Sequence, residues 1–261
     1  MKDFVSRVDF APLERHGLIS FEALWALQAK AVDAPNVGRG GWSEVSRLDF
    51  EGQGFYLKRQ RNHIIRSLAH PLGELTFARE LRNILRLQAR GVPTVAPVFF
   101  AQRLNVAVKS AEGEVREDRA MLLTRALDGW RGMDQWLIDW ADLAGTVRER
   151  LLVACGKLAR QLHAAGMMHC CLYPKHIFAR ANAGTSAFEA TLIDLEKARA
   201  VWWGHRDRCR DIDQFFRHAP ELSAAEVGVM LGAYLDCGPD DAEFRRWQEW
   251  LSKRRGHKER R

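Results

Sequence analysis

The chain has 261 residues, 47% of them hydrophobic and 28% charged, with a formal net charge of +7 and a pI near 9.4. That length buries a core without disulfide or metal staples, and the composition excludes a disordered, fibrous or low-complexity chain. Its five cysteines are odd in number and lack CxxC spacing, which argues against a disulfide framework or a zinc ribbon and predicts free thiols in a reducing cytosol. The N-terminus lacks the apolar core of a signal peptide, and no apolar run approaches 20 residues, so neither Sec-type export nor a membrane span is expected. The basic balance points to an anionic partner: nucleic acid, anionic lipid or a phosphorylated ligand. Much of the excess lies in "SKRRGHKERR" at the C-terminus and in "LKRQRNHIIRS" at 57–67, either solvated runs or a membrane-surface contact.

In chain order, apolar spacing predicts a first helix over 18–31. Residues 37–60 alternate around Gly-rich turns and predict two or three antiparallel strands. Helical spacing returns at 71–91, stopped by Gly91. Two strands, near 95–103 and 119–125, flank the polar turn "SAEGEVRED". From 131 onward the chain reads as mainly helical, with 147–166 the clearest amphipathic segment, a strand in "FEATLIDLEKA", and helices near 211–217, 223–236 and 241–254. The expected organisation is α+β and bilobal: an N-terminal lobe of a small antiparallel sheet with one main helix (1–126), a helical C-terminal lobe (127–254) and a basic tail (255–261). No internal repeat is present.

Chemistry-bearing residues follow the same order. Gly38, Gly40 and Gly41 in "GRGGWSEV" let a backbone approach a phosphate, or simply make a turn; no GK[ST] follows, so this is not a P-loop. Lys58 lies in an apolar strand 17 residues after Gly41, where protein-kinase-like enzymes place the lysine that grips nucleotide phosphates. Its glutamate partner on the following helix would be Glu80, with Glu74 as runner-up. "HCCLYPKHIFA" and, 18 residues after His176, "LIDLEKAR" resemble the catalytic loop and metal-binding Asp of small-molecule kinases of that fold, with His169, Leu172, Pro174 and Asp194 in register.

"RELRNILRLQARGVPTVAPV", the tyrosine and histidine of "LYPKHIF", and "LIDLEKARAV" resemble the bacterial lipopolysaccharide core kinases, over roughly 36–217. The resemblance implies the protein-kinase-like fold and ATP-dependent phosphorylation of a heptose of the inner core, with Mg²⁺ or Mn²⁺ held by His176 and Asp194. In that family a histidine stands in place of the metal-binding asparagine. The implied setting is the cytoplasm, or the inner face of the inner membrane of a Gram-negative bacterium, where the basic surface would meet an anionic glycolipid. Nucleic-acid binding rests on charge alone and lacks a recognition motif.

One position departs from the pattern. Kinases of this kind carry an aspartate where this chain has Cys171, and a general base there contributes about 10² to 10⁴ in rate. Phosphoryl transfer has a loose transition state and depends mostly on positioning and charge neutralisation. The chain is therefore either a specialised kinase or a pseudokinase that binds nucleotide or glycolipid and supports a partner kinase. Alternatives for the stretch are a metal site built from His169, Cys170, Cys171 and His176 with His163 nearby, a thiol nucleophile served by His169 or His176, and small cysteines packed beneath the loop, the expected fate of Cys170. Among Asp207, Asp211 and Asp213, Asp211 is expected to anchor the loop backbone, as in kinase folds, or else to complement a helix dipole. Trp202 and Trp203 are expected in the core by default.

Overall fold

A computed structural model describes residues 2–38, 40–67, 70–110 and 113–256. They form two compact units, one of residues 1–85 and 95–128, the other of residues 86–94 and 129–261. The expected tail at 255–261 lies mostly outside the described residues.

The first unit is built on a six-stranded antiparallel sheet in the order β1-β7-β8-β4-β3-β2. Its strands are β1 (Phe4–Val5), β2 (Asn36–Gly38), β3 (Gly41–Phe50), β4 (Gln53–Arg61), β7 (Pro97–Ser110) and β8 (Gly113–Arg125); β5 (Ile64–Ser67) and β6 (His70–Leu75) make a separate hairpin. Side chains alternate across a strand, and the sheet uses both faces. Phe55 and Leu57 of β4, Phe99 and Ala101 of β7, and Met121 and Leu123 of β8 are buried against Leu13 of α1 (Phe10–Arg15) and Phe21 and Leu24 of α2 (Phe21–Ala26). Each fully buried leucine, phenylalanine or methionine among them contributes about 1.5–3 kcal/mol. The opposite face carries Lys58, Leu122 and Phe100, level with one another in register, and Gln60 two residues further along β4.

Gln60 docks α3 (Thr76–Gln88) on that second face. Its buried Oε1 accepts from the Thr76 hydroxyl at 2.5 Å and the Phe77 N–H at 3.3 Å, and its Nε2 donates to the His63 carbonyl at 3.1 Å. Helix α3 begins at Thr76 because residues 70–75 pair with β5, so the helix expected from 71 loses its first turn to a strand. The helix expected over 18–31 ends at Ala26, where Leu27 turns extended. Arg59, nearly buried, donates to the carbonyls of Trp25 and Leu27, both at 2.8 Å, and so takes acceptors that a longer helix would use. The polar turn expected at 110–118 is narrower, since β7 runs to Ser110 and β8 starts at Gly113.

The second unit contains β9 (Arg131–Gly132), α4 (Met133–Ile138), α5 (Gly145–Ala164), β10 (Met167–Met168), β11 (Ile177–Ala181), β12 (Phe188–Leu192), β13 (Arg199–Ala200), α6 (His205–Arg217), α7 (Ala224–Leu235) and α8 (Ala242–Gly256). Leu151, Leu152, Cys155, Leu158, Ala159 and Leu162 form the buried stripe of α5, at the spacing of an amphipathic helix. Gly156 lets α7 approach closely, because a Cβ there would collide with the Met230 carbonyl. Helix α6 is buried along most of its length, including Asp207, Asp211 and Asp213. The segment between β10 and β11 crosses beside it.

Candidate active site

On the first unit, Lys58 donates from Nζ to Glu80 Oε1 at 2.7 Å. The lysine side chain is 19% exposed and the glutamate side chain 1%. The pairing follows from the docking of α3: Glu80 sits one turn beyond Thr76, which Gln60 holds two residues from Lys58 on the same sheet face. Glu74, the alternative partner, is engaged by both terminal nitrogens of Arg82 at 2.6 and 2.7 Å. Gly38 and Gly41 face each other across the β2–β3 hairpin, and Gly40 takes φ +75° at its tip. Gly41 also makes room for the His63 ring, with which a Cβ would overlap, so that glycine has a packing reason to be there.

On the second unit, residues 169–176 are pinned from both sides. Buried Asp211 accepts the His169 N–H at 2.6 Å and the Cys170 N–H at 2.9 Å. His163 Nε2 lies 3.3 Å from the same carboxylate, and its Nδ1 lies 2.8 Å from the Tyr234 hydroxyl. A carboxylate only accepts, so Nε2 carries the proton and Nδ1 accepts from Tyr234. His169 is fully buried, with Nε2 donating to the Ile193 carbonyl at 3.0 Å and its ring stacked on His176 at 5.4 Å.

His176 joins the loop to the end of β12. Its Nδ1 donates to the Cys171 carbonyl at 2.8 Å, and its Nε2 lies 3.1 Å from Asp194 Oδ2. Burial pushes the His176 pKa below its ordinary value, outweighing Asp194 and the Cys171 carbonyl, which act the other way. The imidazole is then neutral near pH 7, and its Nε2 lone pair points at a carboxylate. Asp194 stands in the left-handed region, φ 57° and ψ 57°. One carboxylate and one neutral imidazole are a donor set that fits a divalent cation; the imidazole suits Mn²⁺ at least as well as the harder Mg²⁺. Among the described residues, no group of three or more His, Cys, Asp and Glu side chains could hold a metal. The four-residue site of His169, Cys170, Cys171 and His176 is therefore not assembled.

Cys171 is half-buried. Burial first, and then the neighbouring Cys171 thiol, raises the Tyr173 pKa; the Tyr173 ring rests on His218 at 4.3 Å. Cys170 is not packed beneath the loop as expected. It is only partly buried and takes φ +66°, because the Asp211 clamp fixes both its N–H and that of His169. Two neighbours escaped the sequence reading. Lys197, three residues after Asp194, is raised in pKa although burial acts against it, through the nearby Cys171, Glu196, Asp194 and Tyr173. A cation at fixed spacing after the metal-type Asp was the available signal. His163 was visible only as a nearby histidine, and its link to Asp211 has no sequence signature.

Trp202 and Trp203 are 59% and 69% exposed, which overturns their expected place in the core. Asp207, the first-turn carboxylate of α6, accepts the N–H groups of both at 2.9 and 3.1 Å and a bidentate pair from Arg199 at 2.9 Å each.

Among the described residues, no helix is long and apolar enough to cross a membrane. Comparison with known proteins bears on the whole arrangement. The structure of WaaP in complex with acyl carrier protein superposes with a TM-score of 0.67 over 97% of this chain and 99% of that one, at 22% identity, which establishes the kinase-like α+β fold. Protein InaA of Escherichia coli (strain K12) is 30% identical over 181 residues, 69% of this chain and 78% of InaA. The model of the lipopolysaccharide kinase (Kdo/WaaP) family matches residues 22–234, and the chain therefore belongs to that family of kinases.

Proposed function

We propose that this protein is an ATP-dependent kinase that phosphorylates a heptose hydroxyl of the lipopolysaccharide inner core, working in the cytoplasm or at the inner face of the inner membrane. The observation that carries this is the convergence of a neutral His176 Nε2 and the Asp194 carboxylate at 3.1 Å. Two lone-pair donors facing each other at that distance suit a shared cation.

In this proposal His176 and Asp194 hold Mg²⁺ or Mn²⁺, which when bound neutralises charge on the nucleotide phosphates. Lys58, oriented by Glu80, grips phosphate oxygens, and the hairpin at Gly38, Gly40 and Gly41 offers backbone N–H groups to them. Asp211 keeps the loop in place, and buried His169 braces it through the Ile193 carbonyl and the His176 ring. Cys171 faces the acceptor hydroxyl where a carboxylate would take its proton; a protonated thiol accepts weakly. Turnover should therefore be slow, since a positioned base contributes about 10² to 10⁴ in rate. Lys197 brings positive charge to the neighbourhood of Cys171, favouring an anionic acceptor or product.

Incubation with labelled ATP, Mg²⁺ or Mn²⁺ and dephosphorylated core lipopolysaccharide should transfer label. Asp194→Ala should abolish transfer, and no transfer with either metal overturns the kinase. Cys171 itself motivates a second reading, a pseudokinase that binds nucleotide or core glycolipid and supports a partner kinase. Cys171→Asp separates the two: a large gain from a baseline near zero favours the pseudokinase, whereas a loss places the thiol in a working site.

A further inference from the structure

We infer that Trp202 and Trp203, flanked by the arginines of α6, form a docking surface for an anionic lipid bilayer. Among the described residues these two are the one adjacent pair of large exposed hydrophobic side chains. Isolated exposed apolar residues are ordinary, but two neighbouring indoles in water are not. Their exposure is not slack in the chain. Asp207, 3% exposed, takes both indole residues' backbone N–H groups, and the Arg199 guanidinium that completes the cluster lies 4.9 Å above the Trp202 ring. The Arg206 N–H closes the turn on the Trp203 carbonyl at 3.1 Å. A buried, charge-paired scaffold thus fixes two apolar rings on the outside.

Charge around the turn selects the occupant. Helix α6 carries three acids and four arginines. The acids point inward: Asp207, Asp211 and Asp213 are 3%, 0% and 1% exposed, and are engaged respectively with Arg199, the loop backbone, and Arg217 at 3.1 Å. Arg206, Arg208 and Arg210 are exposed. The outer surface beside the indoles is therefore cationic, with Arg206 and Arg210 one helical turn apart. Amphipathic rings at headgroup level with basic side chains beside them are what an anionic membrane surface recognises. A sugar would use the ring faces but gives Arg206 and Arg210 nothing to meet, unless it too is anionic.

This inference is independent of the kinase proposal, and the experiment is run without ATP. The full-length protein is floated with vesicles of phosphatidylcholine alone or with phosphatidylglycerol added, at physiological salt. Binding to the anionic vesicles is expected. Trp202→Ser/Trp203→Ser should weaken it at least about tenfold, and Arg206→Gln/Arg210→Gln about fivefold per charge removed. Because these positions are exposed, thermal unfolding should be unchanged in both variants. In an independent measurement, lipid brominated near the headgroup should quench indole fluorescence, less so in Trp202→Phe/Trp203→Phe. Equal binding to both vesicle types, undiminished binding by the serine variant, or indole fluorescence that responds to soluble core oligosaccharide and not to vesicles would each overturn the assignment, the last in favour of a saccharide platform.

Discussion

Two aspartates four residues apart on α6 perform the same operation on two different loops. Asp211 accepts the consecutive N–H groups of His169 and Cys170, and Asp207 those of Trp202 and Trp203. What differs is how each carboxylate is compensated. Asp207 has the Arg199 guanidinium in bidentate contact, whereas Asp211 has a histidine tied to Tyr234 and no exposure at all. The ion pair near the surface holds a turn out to solvent. The buried carboxylate, dependent on directed N–H groups, holds the loop that carries the candidate chemistry.

The contrast can be tested by removing each carboxylate. Asp211→Ala should have the largest effect, about 4 kcal/mol in denaturant unfolding, because it strands two buried N–H groups and a histidine N–H. A cost no greater than that of Asp207→Ala would erase the distinction between the two carboxylates. Asp207→Ala should cost about 2 kcal/mol, since its partners can reach water. Its pH dependence has a definite sign. Arg199, chiefly, and the two tryptophan N–H groups hold the Asp207 carboxyl well below the usual carboxylate range, against the opposing effect of burial. A group whose folded pKa is depressed stabilises above its unfolded value and loses that contribution as pH falls below about 4. The stability difference between wild type and Asp207→Asn should therefore shrink between pH 6 and pH 3. A constant difference would show that the ion pair is not the source. The smallest effect belongs to Tyr234→Phe, which removes the hydroxyl 2.8 Å from His163 Nδ1 and should cost about 1 kcal/mol.

The sequence exposed those parts of the molecule where chemistry restricts residue type. A lysine in an apolar strand, a glutamate one helix later and a His–Pro–His loop before an apolar strand ending in Asp194 are recognisable without coordinates, and the first two meet at 2.7 Å. The alternation of β3 and β4 and the stripe of α5 were equally visible, because burial imposes periods of two and 3.6. Other features were hidden because they depend on tertiary partners. Nothing local ends α2 at Ala26; Arg59 does, from a strand about thirty residues away. The first residues of β8, 113–116, are all exposed, so burial imposes no period there to mark the extension of the β7–β8 ribbon. The exposure of Trp202 and Trp203 depends on a hydrogen-bonded turn ahead of Gly204, which takes φ +48°, and composition alone sends tryptophan inward.

The cysteine in the loop also changes how this protein can be addressed from outside. An aspartate in that position is inert to soft electrophiles, whereas a half-buried thiol is open to them. The rest of the thiol inventory favours selectivity: Cys155 and Cys209 are sealed in the core, with burial pushing Cys155 up to about 12, and the Cys237 thiol is raised as well, first by burial and then by nearby carboxylates. An acrylamide or chloroacetamide carried on a nucleotide-like scaffold would have Cys171 as its natural anchor, with Cys170 adjacent. The half-buried Cys171 thiol thus gives the loop between β10 and β11 a covalent address of its own.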